Sequence, residues 1–132
     1  MHARRWRFQI VMVTVLILED DVDCRELLGE VLATRAHSCV KAGTLAELAG
    51  RKSEALACDL ALLDINLGPT QPSGVDACRW LLRHGFHGRI AFLTGHGDSH
   101  PLVLEAATFA NAPVLAKPIK ARRLLEFVQE VG

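Results

Sequence analysis

The stretch L60-A61-L62-L63-D64-I65-N66 decides how this chain is read. Four apolar residues run straight into a carboxylate. An unbroken apolar run of this length reads as a strand buried on both faces, which is the habit of parallel sheets. Burying an unpaired carboxylate is costly, so Asp64 must face a partner at the end of its strand. The search for that partner organises the rest of the chain.

Apolar runs of the same kind recur on either side of this one. VTVLIL (13–18), Ser38 to Ala42, Asp59 to Asp64, Arg89 to Thr94 and Val114 to Ala116 read as five strands. Helix-period segments separate them. Val22 to about Arg35 places Leu28, Val31, Leu32 and Arg35 at spacings of three and four. Thr44 with Glu47 forms a capping-box pattern opening a helix to about Ser53. GPTQPSG (68–74) is a loop, after which Ser73 or Gly74 starts a helix through Trp80 and Leu82. A fourth helix runs from about Pro101 to Ala110. A fifth carries Leu124, Leu125, Val128 and Val131 on one face. Five βα units in succession predict an α/β fold with a parallel sheet and helices on both faces.

Composition agrees with one such domain. The chain has 132 residues, half of them apolar, enough for a substantial core. Lysine plus arginine equals aspartate plus glutamate, 15 each, so charge argues for neither nucleic acid nor membrane. The four cysteines, Cys24, Cys39, Cys58 and Cys78, lack metal-ligand spacing and read as reduced thiols of a cytoplasmic protein. MHARRWRF followed by QIVMVTVLIL has the outline of a signal peptide, but no small-residue cleavage site follows, and the apolar run meets Glu19, Asp20 and Asp21. It is also too short to span a membrane. Residues 1–11 are therefore read as a disordered N-terminal arm or start-site extension, and residues 12–132 as the domain. Met12 is a candidate natural start.

Ligands of open parallel sheets sit beyond the carboxyl ends of the strands. Strand one ends in Glu19, Asp20 and Asp21, strand three in Asp64, strand four in Thr94 and strand five in Lys117. Carboxylates from two strands suit a hard cation such as Mg²⁺, which prefers oxygen and keeps water or phosphate in its shell. An ionised aspartate beside it can attack a phosphoryl group and form an acyl phosphate. Lys117 and Thr94 would then support the transferring oxygens.

LILEDD (16–21), LALLDIN (60–66), AFLTGHG (91–97) and LAKPI (115–119), in this order and at these separations, resemble the receiver domain of two-component response regulators over residues 13–131. The resemblance implies a flavodoxin-like (βα)5 fold with strand order 2-1-3-4-5. It implies that Asp64 accepts a phosphoryl group from a histidine kinase or histidine phosphotransfer protein, with Mg²⁺ or Mn²⁺ as cofactor. Glu19 and Asp20 match the acidic pair, Asp20 being the direct metal ligand, and Asn66 matches the position whose backbone carbonyl joins them. Thr94 and Lys117 match the switch hydroxyl and active-site lysine, and a cis Lys117-Pro118 peptide is implied. His96 falls where family members tune the lifetime of the acyl phosphate.

Two departures stand out. The usual switch aromatic three residues before the lysine is Val114, and the loop after Asp64 is long. Output is expected through the fourth helix, fifth strand and fifth helix, a surface on which receivers also form homodimers. Arg122 and Arg123 lie on that last helix, either solvated or part of the partner surface. His84, His87 and His100 read as surface or loop residues and Trp80 as packing.

The expected role is a stand-alone signalling receiver without separate substrate turnover. A receiver-like adaptor acting without phosphorylation, or the N-terminal part of a longer regulator with an output domain, is the alternative. An aspartate-nucleophile phosphatase would carry a second aspartate two residues after the first, where this chain has Asn66. A P-loop enzyme would need GxxxxGK[ST], which is absent.

Overall fold

A computed structural model describes residues 12–95, 97, 99–109 and 111–131. The N-terminal arm and His96 lie outside the described residues. The elements in chain order are β1 (Thr14–Leu18), α1 (Val22–Ala33), β2 (Ser38–Ala42), α2 (Leu45–Gly50), α3 (Lys52–Leu56), β3 (Leu60–Asp64), α4 (Gly74–Arg83), β4 (Arg89–Thr94), α5 (Pro101–Ala106), β5 (Val114–Ala116) and α6 (Ala121–Val131). The five strands form one parallel sheet in the order β2-β1-β3-β4-β5. This is the flavodoxin-like arrangement, with β3 at its centre between β1 and β4.

Side-chain alternation along each strand divides the core into two layers. Leu16, Leu18, Leu63 and Phe92 point to the side covered by α2, α3, α4 and α5. Val15, Ile17, Leu60 and Leu62 point to the other side, where α1 supplies Leu28 and Leu32 and α6 supplies Leu124, Phe127 and Val128. Leu125 and Val131 pack only partly against this second layer, and Phe127 is buried on α6 beside Leu124 and Val128. Leu62 and Leu63 are both fully buried, on opposite faces. Each contributes about 1.5–3 kcal/mol by leaving water.

Two helices depart from the expected spans. The helix opened by Thr44 does not continue to Ser53. It breaks at Arg51 (φ −118°, ψ 37°), giving α2 and α3. Gly50 is a weak helix former, and the Arg51 guanidinium reaches back to donate to the Lys41 carbonyl on β2 at 3.0 Å. The helix from Pro101 ends at Ala106 rather than Ala110. Thr108 turns its hydroxyl onto the Glu105 carbonyl, and Phe109 packs on Phe92 with ring centroids 6.0 Å apart. The surface expected to carry output therefore comprises α5, β5 and α6, where Leu104 is exposed.

Caps fix the helix starts. Asp21 caps α1, its Oδ1 accepting from the Cys24 N–H at 2.9 Å. Thr44 accepts from the Glu47 N–H, while the Glu47 carboxylate accepts from the Gly43 N–H rather than closing the box on Thr44. A complete capping box forms at Ser73 and Asp76, at the start of α4.

Candidate functional site

Consecutive parallel strands end at one edge, and the loops after β1, β3, β4 and β5 meet there. Glu19 follows β1 directly. Its N–H donates to the Ala42 carbonyl at 3.0 Å, so the chain leaves β1 still attached to β2. Its side chain is fully buried, whereas Asp20 beside it is exposed. Asp64 closes β3 and is 3% exposed. Carboxylate oxygens of Glu19, Asp20 and Asp64 lie within 4.8 Å of one another. Asp21 is turned away to cap α1 and takes no part in this cluster.

Lys117 answers the question posed by Asp64. Its Nζ lies 2.9 Å from Glu19 Oε1 and 3.3 Å from Asp64 Oδ2. The Lys117 N–H donates to the Thr94 carbonyl at 2.8 Å, extending the pairing of β4 and β5 by one residue. The following Lys117-Pro118 peptide bond is cis. Thr94 is buried at the end of β4, one residue past the partner of Asp64 in the sheet register. Asn66 is exposed, and its Oδ1 accepts from the Gly68 N–H at 3.0 Å at the start of the long loop. Val114 is half-buried and pairs in register with Phe92.

The electrostatics follow from crowding. Burial and the adjoining Glu19 carboxylate push Asp64 from 3.8 up to about 8, against the opposing pull of Lys117. Burial also works against ionised Glu19, but hydrogen bonds with Asp64 and Lys117 outweigh it and bring Glu19 down to about 2. Crowding thus pushes Asp64 toward its neutral form while Glu19 is held ionised beside it. Burial disfavours the Lys117 ammonium, yet the hydrogen bond to Glu19 and the charge of Asp64 raise its pKa above the ordinary value. The donor set is all oxygen, and one ammonium opposes three acidic groups. That combination fits a hard divalent cation.

Several residues that shape the site carry little signal in sequence. Gly74 donates its N–H to the Ile65 carbonyl at 2.8 Å, and a Cβ placed on it would lie 2.2 Å from the Asp64 carbonyl oxygen. The Arg25 guanidinium donates to the Glu19 carbonyl at 2.7 Å. The Cys24 thiol, pushed up to about 12 by burial and then by Glu19, lies beside that carboxylate. Only the Ser73-Gly74 turn signal hinted at the first of these. His84 stacks on Trp80 and His100 caps α5, so both serve local structure.

Comparison with known proteins agrees with this fold. Nodulation protein W of Bradyrhizobium diazoefficiens is 30% identical over 115 residues, covering 86% of this chain and 48% of that protein. The chain thus spans about half the length of this curated relative. The chemotaxis protein CheY4 of Vibrio cholerae superposes with a TM-score of 0.78 at 20% identity, covering 92% of this chain and 100% of the other. A CheY-like receiver domain from Methylobacillus flagellatus superposes with a TM-score of 0.74, also at 20% identity, with the same coverage. Among the described residues, no helix is long and apolar enough to cross a membrane. The response regulator receiver domain model matches residues 15–129, and the chain belongs to that family of signalling domains.

Proposed function

We propose that this domain is a phosphoacceptor, taking a phosphoryl group onto Asp64 from a phosphohistidine on a histidine kinase or histidine phosphotransfer protein. The observation that carries this reading is the triangle of Glu19, Asp64 and Lys117, two buried carboxylates bridged by one ammonium, with Asp20 beside them. Glu19, Asp20 and Asp64, with the main-chain carbonyl of Asn66, would hold Mg²⁺ or Mn²⁺. The bound cation supplies positive charge that favours ionised Asp64 and neutralises the phosphoryl oxygens.

An Asp64 carboxylate oxygen attacks phosphorus as the P–N bond breaks, its electron pair returning to the imidazole nitrogen. Lys117, released from its share of Asp64, follows the negative charge onto the phosphoryl group. Thr94, at the end of the adjoining strand, donates its hydroxyl to a phosphoryl oxygen and draws the loop before α5 inward. The α5-β5-α6 surface then changes its affinity for a protein target or a second copy of the domain. Val114 cannot act as an aromatic rotamer switch, so this coupling runs through the loop after Thr94. The proposed setting is the cytoplasm, where the four free thiols stay reduced.

Intact-mass measurement after incubation with acetyl phosphate, with and without Mg²⁺, tests the reading. One Mg²⁺-dependent phosphoryl adduct on the wild type, absent from Asp64→Asn, is expected. Metal binding with no adduct on any timescale from milliseconds to hours would move the assignment to an adaptor acting without phosphorylation.

A further inference from the structure

We infer that Arg25 is a positioning residue for the acidic site, holding the main chain of Glu19 from the far side of the β1–α1 turn. The inference rests on the metal-binding reading of Glu19, Asp20 and Asp64. Both peptide groups of Glu19 are tied. Its N–H donates to the Ala42 carbonyl at 3.0 Å, and its carbonyl accepts from Arg25 Nη1 at 2.7 Å. Its carboxylate meets Lys117 at 2.9 Å on one oxygen and the Asp21 N–H at 3.2 Å on the other. Glu19 is therefore held at both peptide groups as well as at its carboxylate, and the hold on its carbonyl comes from Arg25 on α1.

Arg25 can reach this carbonyl because residue 43 has no side chain. A Cβ on Gly43 would lie 2.9 Å from Arg25 Nη1, 3.4 Å from Glu47 Oε1 and 3.8 Å from the Glu19 carbonyl oxygen. It would project into the space where guanidinium and carbonyl meet. The Gly43 backbone lies outside the left-handed region, so this glycine matters for its empty volume and not for its torsions. The Gly43 N–H donates to Glu47 Oε1 at 2.8 Å, which holds the carboxylate of α2 at the rim of the same slot. The half-buried Arg25 guanidinium thus donates to the β1–α1 turn while lying beside the β2–α2 turn at Gly43.

Charge and position make opposite predictions, which makes the inference decidable. Arg25 is a cation close to a cation site. If only its charge mattered, removing it would tighten Mg²⁺ binding by relieving repulsion. If its hydrogen bond holds Glu19 in place, removing it loosens the site, and loss of a group that orients a metal ligand typically weakens binding about tenfold or more.

The test is Mg²⁺ titration of the full chain by calorimetry for wild type, Arg25→Ala, Arg25→Lys and Gly43→Ala. Amide hydrogen exchange at Asp20 and Asp21 is followed in parallel on metal-free protein. Arg25→Ala is expected to bind Mg²⁺ about tenfold more weakly, with faster exchange at Asp21. Arg25→Lys is expected to recover part of the affinity. Gly43→Ala, which displaces only the tip of a flexible side chain, is expected to weaken Mg²⁺ binding with its urea midpoint unchanged. Binding by Arg25→Ala as tight as wild type, or tighter, would overturn the inference. If the wild type binds no Mg²⁺, the metal reading fails by itself. The metal-free exchange then judges Arg25, and unchanged protection at Asp21 overturns its positioning role. Should Arg25→Ala not fold, the lysine and Gly43 variants carry the same comparison.

Discussion

Lys117 Nζ lies 2.9 Å from Glu19 Oε1, an ion pair closed across 98 positions of sequence, with the Glu19 side chain fully buried. Residues this distant can meet only because β1 and β5 end at the same edge of one sheet. The pair brings a cation to a place that would otherwise hold two buried acids side by side.

Replacing Lys117 by methionine leaves those acids without their counter-charge. Removing one partner of a buried pair costs about 3–5 kcal/mol, and the partial exposure of Lys117 reduces this to about 1–3 kcal/mol. Urea denaturation in the presence of a chelator is expected to show that loss. Phosphorylation by acetyl phosphate is expected to slow by on the order of a hundredfold. A phosphorylation rate equal to wild type would remove Lys117 from the proposed chemistry.

Stability of the metal-free domain is expected to fall as pH rises. The folded pKa of Asp64 is raised from 3.8 to about 8, so the folded state holds a proton that the unfolded chain has released. The associated stability is complete below about pH 4 and is lost as pH climbs through 8, with a slope of at most about 1.4 kcal/mol per unit. Glu19 acts in the opposite sense. Its pKa is lowered from 4.5 to about 2, so its contribution is present above pH 4.5 and disappears as pH falls through 2. Urea midpoints between pH 5 and 8.5 check the sign. Asp64→Asn is expected to flatten the slope, and saturating Mg²⁺ is expected to flatten it too, because the cation binds the deprotonated pair and neither state then carries the extra proton over this range.

Gly74→Ala is expected to be among the more damaging small substitutions. The new Cβ would fall 2.2 Å from the Asp64 carbonyl oxygen, a backbone atom that cannot swing aside as a side chain can. Overpacking of this kind costs about 1–3 kcal/mol, and contact with rigid backbone places it near the upper end. Because the clash is with Asp64 itself, slower phosphorylation is expected beside the lowered urea midpoint. An unchanged midpoint would mean that the turn between β3 and α4 is more compliant than its geometry indicates.

Ser73→Ala removes the hydroxyl that accepts from the Asp76 N–H at 3.2 Å and breaks the capping box of α4. The expected cost is about 1 kcal/mol. Asp76→Ala is expected to cost more, since Asp76 also accepts from the Ser73 N–H at 2.9 Å and pairs with Arg79. Comparing both substitutions in urea melts separates the two contributions.

The sequence alone determined the five strands and the alternation of strand and helix, though not that the helix opened by Thr44 is two. Apolar runs of strand length alternate with helix-period segments, and each property is local to a few consecutive residues. It also brought out Glu19, Asp64, Thr94 and Lys117, because a polar residue at the end of an apolar strand stands out against its neighbours. Helix ends were less legible. The break at Arg51 depends on a bond to Lys41 on another strand, and the end of α5 at Ala106 precedes the turn that seats Phe109 on Phe92. Which acids meet was legible only through the family resemblance, which singled out Glu19 and Asp20, and local chemistry could not have chosen between neighbours. Asp20 and Asp21 are adjacent and chemically identical, yet Asp20 joins Glu19 and Asp64 while Asp21 caps α1. Tertiary structure alone decided the roles of Arg25, Gly43 and Gly74, whose importance lies in the space between two loops. Spacing along one chain cannot express that distance, since the strand pairing that sets it joins residues far apart in sequence.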